Sequence, residues 1–430
     1  MNFLQITPGA GGMYCGNCLR DNALVAALRQ MNHTAVLVPL YLPLTLDEAD
    51  QSAGTPLFFS GIKVYLDQKT ELFRKAPDWL RKTLDAPSLL RWAADRAAKT
   101  RPEEVGDLTL SMLRGEEGNQ ARDLEELVAW LKTQPPPDVV CLSNALLLGM
   151  ARRIKAELGG RLVCMLQGED SFLDALPEDT RTAAWQILAE RAADVDLFLA
   201  PSHYFGGLMA VRLNLPEDRV RVVPNGINVE GYQPASLPPD PPVLGYFARM
   251  CREKGLDVLI EAYILLRQRS RWENLKLRVG GSCGPAEEPL VNALREELKA
   301  NGVLGDVEFC PNLDRAGKEA FYRSLSVFSV PATYGEAFGL YVLEALASGV
   351  PVVQPNHAAF PELIEATGGG MLCKPGDPES LADAIEKLLS NPIISGNMAA
   401  AGRKTVLEKY SAAQMAQNLL DALNQEFGIL

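Results

Sequence analysis

The chain has few histidines and no long apolar segment. It contains 3 His among 430 residues, too few to favour a catalytic or metal-binding site made mainly of imidazole side chains. No run of residues approaches the roughly 18–20 apolar positions that a membrane-spanning helix requires. The first residues also lack the basic and apolar regions of a signal peptide, and a cytoplasmic protein is therefore expected.

Positive charge is in deficit as well. The 42 Lys and Arg are outnumbered by 54 Asp and Glu, and the net charge of -12 disfavours a nucleic-acid partner. Hydrophobic residues make up 47% and charged residues 22% of the chain, as is typical of a soluble globular protein. A chain of 430 residues is too long for one ordinary core, and two domains are predicted.

The 8 cysteines are spread along the chain, mostly in apolar segments. This distribution favours reduced thiols over a disulfide framework. Cys15 and Cys18 form a Cys-x-x-Cys pair, but no second pair with metal-binding spacing exists. Two free thiols at a helix start are the favoured interpretation, and a regulatory disulfide is the alternative.

Strand-like and helix-like segments alternate along the chain, which predicts two parallel sheets covered by helices on both faces. Between the two series, Gln233–Pro242 holds five prolines in ten residues and predicts a linker. The expected domains are residues 1–232, joined by a returning helix in 412–430, and residues 243–411. Ligands of such sheets bind at the carboxyl ends of the strands.

Strands are predicted at Thr34–Pro39, Asp138–Leu142, Arg161–Leu166, Val195–Ala200, Val220–Val223, Val243–Ala248, Leu275–Val279, Val307–Phe309, Val327–Pro331 and Val352–Gln354. Helices are predicted at Leu19–Arg29, Leu256–Arg267, Pro378–Leu389 and Ala412–Phe427.

The segment from Glu336 to Glu344 carries the strongest functional signal. Apolar positions at helical spacing predict a helix that starts near Phe338, and Glu344 interrupts its apolar face. A carboxylate there is unfavourable unless a polar group meets it, and a ribose diol is a suitable partner. The free amides at the helix start suit a phosphate. The simpler alternative is a helix with an acidic first turn and one tolerated core acid.

Glu336, seven intervening residues, Glu344 and the run Ala345–Val353 resemble the signature of retaining glycosyltransferases of the family 4 type, which have the GT-B fold. The resemblance implies two doubly wound Rossmann-like domains facing a cleft, with the last helix crossing back to the first domain. It also implies that Glu344 binds the ribose of a nucleotide sugar and that Glu336 touches sugar hydroxyls. The amides of Phe338, Gly339 and Leu340 would lie near the diphosphate.

Arg249 and Lys254 lie in a loop between a predicted strand and helix, where two cations suit a diphosphate leaving group. The segment resembles the family pattern of an Arg followed by Glu-Lys-Gly, which implies those roles. Ala248 stands where the family usually has Gly. A solvated basic loop is the alternative, and Arg252 is a weaker candidate for the same task. Gly280 and Gly281 follow the next strand. Glycines are expected in a loop whose backbone must come close to another group, because they have no Cβ.

A glycine-rich loop with Gly11 and Gly12 follows the first strand. In the family this loop closes over the nucleotide-sugar donor. The resemblance therefore implies that Gly11 and Gly12 bind the donor. The alternative is a tight strand-to-helix turn. The dinucleotide fingerprint is excluded, because the Gly spacing is wrong.

The resemblance leaves one catalytic position open. Many relatives carry a His after the strand that corresponds to Arg161–Leu166, but this chain reads Gln167-Gly168-Glu169-Asp170. Asp170 is the preferred candidate for a contact with the donor sugar or the acceptor. An acidic helix N-cap is the alternative.

A long insertion spans residues 44–134, and within it residues 69–101 hold nine Lys and Arg against four Asp and Glu. A solvated helical face is the favoured interpretation of this stretch. Peripheral contact with an anionic inner membrane surface or a lipid-linked acceptor is the alternative.

The predicted activity is retaining transfer of a sugar from a nucleoside-diphosphate sugar, UDP before GDP or ADP, to an acceptor hydroxyl. Neither a bound metal nor a cofactor is expected. A nucleotide-sugar epimerase, a phosphorylase of the same fold, and a non-catalytic nucleotide-sugar-binding protein are the alternatives. The donor sugar, the acceptor and the oligomeric state are left open.

Overall fold

The computed structural model describes residues 1–9, 15–59, 61–70, 76 and 102–429. The chain divides into two compact units, Met1–Pro224 with Ala416–Leu430, and Asn225–Met415. Each unit contains one six-stranded parallel sheet with helices around it. The prediction of two doubly wound α/β domains is therefore confirmed.

The sheet of the first unit has the order β2-β1-β3-β4-β5-β6. Its central strands are apolar and buried along their length, as parallel strands covered on both faces must be. The strands are β1 (Asn2–Thr7), β2 (Thr34–Pro39), β3 (Val139–Leu142), β4 (Arg161–Met165), β5 (Leu197–Ala200) and β6 (Val220–Val222). The helices are α1 (Gly16–Gln30), α2 (Gly61–Lys69), α3 (Pro102–Leu113), α4 (Ala121–Leu131), α5 (Ala151–Leu158), α6 (Glu169–Asp174), α7 (Glu178–Arg191) and α8 (His203–Arg212).

The sheet of the second unit has the order β12-β11-β10-β7-β8-β9. Its strands are β7 (Val243–Phe247), β8 (Lys276–Gly281), β9 (Val307–Pro311), β10 (Val327–Phe328), β11 (Val352–Pro355) and β12 (Gly370–Cys373). Its helices are α9 (Leu256–Arg267), α10 (Glu288–Ala300), α11 (Arg315–Arg323), α12 (Leu340–Ala347), α13 (Phe360–Thr367), α14 (Pro378–Ser390) and α15 (Pro392–Lys409), and α16 (Ala412–Phe427) follows. No helix in the described parts of the chain is long and apolar enough to cross a membrane.

The predicted strands all form with shifts at their ends, and the largest difference is at Val327–Pro331, of which only Val327–Phe328 is a strand. Gly370–Cys373, which is not among the predicted strands, pairs in parallel with β11 as an edge strand. Helix α12 begins at Leu340 rather than near Phe338, because Gly339 before it has the left-handed φ of 92°. That conformation is open to glycine and interrupts helical backbone geometry.

The boundary between the units falls at Pro224, before the proline-rich segment. The reason is that Tyr232, which precedes the prolines, is fully buried in the core of the second unit. Helix α16 joins the first unit from Ala416 onward. There the Glu426 carboxylate pairs with Arg221 at 2.9 Å, and the Arg161 guanidinium lies 5.0 Å from the Phe427 ring centre.

Candidate active site

The loops after β7 and β10 lie side by side, because these two strands are neighbours in the sheet. The amide of Thr333, in the loop after β10, donates to the carbonyl oxygen of Glu253 at 3.0 Å, in the loop after β7. The carboxyl ends of adjacent parallel strands are the usual ligand site of an open α/β sheet. The sheet order therefore brings the predicted cation loop to the predicted acidic segment.

Glu336 and Lys254 meet at this edge of the sheet. The Lys254 ammonium donates to Oε2 of Glu336 at 2.6 Å. The hydroxyls of Tyr334 and Tyr341 donate to the same oxygen at 2.9 and 2.8 Å. Lys254 also contacts the Tyr334 hydroxyl and lies 4.8 Å from the centre of that ring. All three donors end on Oε2, so Oε1 accepts none of these bonds.

The electrostatics of Glu336 follow from these contacts. Burial alone raises the pKa of the Glu336 carboxyl, but the charge and hydrogen bond of Lys254 and the tyrosine hydroxyls outweigh it. The net pKa lies below its ordinary value, so Glu336 is ionised at neutral pH. Burial and the Glu336 charge raise the pKa of Tyr334 and Tyr341 well above their ordinary value. Both hydroxyls are therefore protonated donors.

Gly255 fixes the loop that carries Lys254. Its φ is 69°, and a Cβ added there would lie 1.9 Å from the carbonyl oxygen of Pro331. The 3-10 turn Arg252–Lys254 ends at this glycine, and α9 begins after it. The Glu-Lys-Gly pattern thus has a steric reason: only glycine permits this close approach of two backbone segments.

Arg249 is exposed and lines an open cavity of about 300 Å³, together with Cys251, Glu287 and Leu290 among other residues. The Tyr246 hydroxyl donates to its carbonyl oxygen at 2.8 Å. Arg252, the weaker candidate, forms an exposed ion pair with Asp257 at 2.8 Å. The structure places Arg249 and Lys254 on one loop and leaves the Arg249 side chain open to solvent.

The glycines at the end of β8 also have a steric reason. Gly281 has φ 116°, and a Cβ added there would lie 1.9 Å from the carbonyl oxygen of Ala248. This is the close approach that the Gly280-Gly281 pair predicts. Ala248 itself, where the family usually has Gly, is the residue approached.

Glu344, in the middle of α12, has three donors of its own. Oε1 accepts from the Lys318 ammonium at 2.8 Å and from the Tyr232 hydroxyl at 3.0 Å. Oε2 accepts from the Tyr322 hydroxyl at 2.9 Å. The sequence predicted that a polar group must meet this carboxylate, and three side chains of the same unit do so. Sequence reasoning missed all three.

Lys318 did have a signal in the sequence. It stands three and four positions before Phe321 and Tyr322, and all three residues form the buried face of α11. A lysine at an apolar position of an amphipathic helix indicates a buried partner of opposite charge. Tyr232 had no such signal, because it lies 112 residues from Glu344 in the chain.

The two acids after β4 have different surroundings in the first unit. Glu169 accepts the amides of Ala145 and Gln167 at 2.6 and 2.8 Å, which is a structural role. Asp170 is 9% exposed, and its Oδ1 has no hydrogen-bond partner among the described residues. Burial, with a smaller contribution from the Asp174 charge, raises the pKa of Asp170. Of the two, only Asp170 has an oxygen without a structural partner.

Several predicted features fall on residues outside the described part of the chain. Gly11 and Gly12 are among them, as is nearly all of the basic stretch 69–101.

Cys15 and Cys18, at the start of α1, are free thiols. The Cys18 hydrogen bond lowers the pKa of Cys15 to about 6. In the described ranges no three His, Cys, Asp or Glu residues are grouped as a metal ion requires.

Comparisons with known proteins agree on the family. Residues 232–405 match the family profile described as Glycosyl transferases group 1, and residues 92–230 match that of Glycosyltransferase Family 4. The phosphatidyl-myo-inositol mannosyltransferase of Mycobacterium leprae is 32% identical over 203 residues, 46% of this chain and 51% of that protein. The D-inositol 3-phosphate glycosyltransferase of Corynebacterium jeikeium is 32% identical over 185 residues, 40% of this chain and 43% of that protein. The chain thus spans about half the length of the curated relatives it matches.

Solved structures share the fold over the whole chain. The sucrose-phosphate synthase of Thermosynechococcus elongatus has a TM-score of 0.71 at 16% identity and covers 100% of both chains. Anabaena Alr3699/HepE, solved in complex with UDP, has a TM-score of 0.67 at 16% identity and covers 99% of this chain and 100% of its own. Two adjoining family profiles match residues 92–230 and 232–405, and the chain belongs to the glycosyltransferases of the family 4 type.

Proposed function

We propose that the chain is a retaining glycosyltransferase that moves a sugar from a nucleoside-diphosphate sugar to an acceptor hydroxyl. UDP is the preferred nucleotide, before GDP or ADP, and no bound metal ion is required. The observation that carries the proposal is the 2.6 Å contact between Lys254 and Glu336, which joins the cation loop to the acidic segment. A transferase needs a cation for its leaving group and a polar group for its sugar at one place.

The leaving group defines the first task of the site. Negative charge grows on the diphosphate as the glycosidic bond breaks, and fixed positive groups stabilise that charge. We assign this task to Arg249, Lys254 and the amides of Phe338, Gly339 and Leu340. The first amides of α12 have no partner within the helix, and its dipole favours an anion there. Because these groups carry the role that a metal ion has elsewhere, metal independence is part of the proposal.

Glu336 has the second task, the donor sugar. With its three internal donors on Oε2, Oε1 is the atom that we assign to a sugar hydroxyl. Retention of configuration follows when the acceptor attacks the face from which the diphosphate departs, through an oxocarbenium-like state. An ionised Glu336 beside the sugar favours this positive charge.

Asp170 is the proposed catalytic contact of the first unit, to the donor sugar or the acceptor hydroxyl. Its buried oxygen without a partner and its raised pKa support the choice. Gly11 and Gly12 remain proposed donor contacts. The Asp170→Asn variant should lower kcat with little change in nucleotide affinity. Unchanged kcat would remove Asp170 from the mechanism.

The experiment that tests the activity is acceptor-dependent release of nucleoside diphosphate. UDP is the first nucleotide to test, since the Anabaena protein of this fold was solved with it. Phosphatidyl-myo-inositol and D-inositol 3-phosphate open the acceptor screen, because one relative is named for each. Release only with an acceptor supports the transferase, and Glu336→Gln is the matched inactive control.

The alternatives give other results in the same assay. An epimerase changes the donor sugar without an acceptor, and a phosphorylase requires inorganic phosphate. A binding protein gives a nucleotide-dependent stabilisation but no turnover with any acceptor. Each of these results would contradict the proposed transfer.

The proposed location is the cytoplasm, with contact of residues 69–101 with an anionic membrane surface as the alternative. Sedimentation with vesicles of anionic and of neutral lipid separates the two. Binding only to anionic vesicles, lost at high salt, would favour the membrane contact.

A further inference from the structure

Cys15 and Cys18 lie together at the start of α1. Cys15 is the N-cap residue, with extended φ and ψ of -114° and 123°, and the Leu19 amide donates to its carbonyl oxygen at 3.0 Å. Cys18 is the third residue of the helix, and residues three positions apart in a helical turn are neighbours. The Cys18 thiol forms a hydrogen bond with the Cys15 sulfur. A disulfide between the two sulfur atoms therefore requires only a local movement.

The two thiols differ in their access to solvent. Cys15 is partly exposed, whereas Cys18 is buried, with 1% of its surface exposed. A molecule that arrives from solution therefore meets the Cys15 sulfur first. Cys18 does not need to meet that molecule, because its own neighbour is the Cys15 sulfur.

The two thiols also differ in acidity. The Cys18 hydrogen bond lowers the pKa of Cys15 to about 6, against burial and the Asp21 charge. Cys15 is thus mostly a thiolate at pH 7, and the thiolate is the nucleophilic form of cysteine. The hydrogen bond to Cys15, burial and the Cys15 charge raise the pKa of Cys18, which keeps its proton. That bond and that charge weaken once the Cys15 sulfur is joined to another sulfur.

A buried ion pair anchors the same turn of α1 to the sheet. The side chains of Arg20 and Asp21 pair at 2.6 Å and have no exposed surface. Arg20 donates to the carbonyl oxygen of Ser143, after β3, at 3.1 Å, and the Ser143 hydroxyl donates to Asp21. These bonds hold α1 in place while the thiols react.

The other six cysteines lack these properties. Five of them are buried, and the sixth, Cys283, is partly exposed. Burial raises the pKa of the Cys283 thiol, so it is a weaker nucleophile source at neutral pH than Cys15. Cys283 is therefore a matched control for the exposure of Cys15.

We propose that Cys15 and Cys18 form a thiol–disulfide exchange site that reacts with small-molecule disulfides of the glutathione type. The Cys15 thiolate attacks one sulfur of the disulfide, the S–S bond breaks, and one thiolate leaves. The Cys18 proton passes to this thiolate. The Cys18 sulfur then attacks the Cys15 sulfur, and the second thiolate leaves. The two cysteines lose two electrons to an internal disulfide, and the small disulfide is reduced to two thiols.

This exchange goes beyond the proposed transferase activity, and its test needs no nucleotide. The reduced full chain is treated with oxidised glutathione, and acid stops the reaction. Intact mass should show the loss of two hydrogen atoms with no glutathione retained, and peptide mapping should place the bond between Cys15 and Cys18. An excess of reduced glutathione should restore both thiols, because a stabilised thiolate favours the reduced form.

Serine variants separate the two roles. Cys18→Ser has no second thiol to complete the exchange, so one glutathione should stay bound at Cys15. In that variant Cys15 should react at least about threefold faster than Cys283, since its larger thiolate fraction outweighs its lower intrinsic nucleophilicity. Cys15→Ser should form neither product at residue 18. Cys283→Ser should form the same internal disulfide at the native rate.

The contrary results are equally specific. No reaction of the native chain, or a glutathione that stays bound to it, overturns the exchange site. A glutathione bound at Cys18 in Cys15→Ser at the native rate overturns the assigned order of attack. If Cys18→Ser does not fold, the mapped bond and mass of the native chain decide. Any of these results leaves the proposed transferase activity untouched, and failure of nucleotide binding leaves the exchange site untouched.

Discussion

Glu336 and Glu344 are held by the same set of groups, one lysine and two tyrosines, but in different geometries. All three donors of Glu336 end on one oxygen, whereas those of Glu344 are divided between two. The difference shows that the same kinds of partner can leave different atoms open: Oε1 of Glu336 accepts none of its three bonds, whereas each oxygen of Glu344 accepts at least one.

The two lysines also differ in the element that carries them and in their exposure. Lys254 comes from a loop that Gly255 fixes, and its side chain is 19% exposed. Lys318 comes from a helix and is 7% exposed. Lys254 is the more exposed of the two, as a residue that contacts a ligand should be, and Lys318 is the more deeply buried. We therefore expect Glu336 to govern turnover and Glu344 to govern nucleotide affinity and stability.

The largest expected effect is on stability. Glu344→Ala leaves the buried Lys318 ammonium without a carboxylate and should lower the free energy of unfolding by about 3–5 kcal/mol. Urea denaturation measures this. Glu308→Ala is the control, since Glu308 pairs with Arg278 but is 60% exposed, and its loss should stay below about 1 kcal/mol. Equal losses in the two variants would contradict the account of Glu344 as a buried carboxylate held by Lys318, Tyr232 and Tyr322.

The next effect is on turnover. Glu336→Gln keeps the shape but removes the charge beside the sugar, and kcat should fall by about 10²–10³. The affinity for free UDP, which has no sugar at Glu336, should change by less than about threefold if the interaction is local to the sugar. Steady-state kinetics and UDP titration measure the two. Glu344→Gln should show the reverse pattern, and the same pattern in both variants would remove the division between the two acids.

Removing one tyrosine hydroxyl from each carboxylate tests the difference between Glu336 and Glu344 with a smaller change. Tyr341→Phe removes one donor from Glu336 and should lower kcat by about tenfold, the size of a hydrogen bond to a charged group. Tyr322→Phe removes one donor from Glu344 and should weaken nucleotide binding by about tenfold instead. Parallel measurement of kcat and the UDP dissociation constant checks this. Equal changes in kcat for the two variants would be inconsistent with separate tasks.

The smallest expected effect is the response to acid. The folded state lowers the pKa of Glu336, so its contribution to stability is present above the unfolded pKa of about 4.3 and is lost as pH falls through the folded pKa. The stability difference between the native chain and Glu336→Gln should be constant from about pH 6 to pH 7 and shrink below about pH 4. Denaturation at a series of pH values measures it. A difference that grew on acidification would mean that the pKa is raised.

Much of the fold was predictable because parallel strands appear as short apolar runs. The proximity of Lys254 to Glu336 agrees with the candidate site, because each residue lies in a short segment with a recognisable pattern. The partners of Glu344 were not predictable in the same way, since Tyr232 reaches it from 112 residues away. The start of α12 was misplaced because the apolar spacing at Phe338 does not reveal the left-handed φ of Gly339.

Thermal unfolding with UDP, on the native chain and on Glu344→Gln, tests the central claim most directly. A nucleotide at 100 times its dissociation constant should add about 2.7 kcal/mol to the stability of the native chain. The same UDP concentration should stabilise the variant markedly less. If UDP, GDP and ADP all leave the native chain unchanged, the second unit does not bind a nucleoside diphosphate and the account of both carboxylates is contradicted.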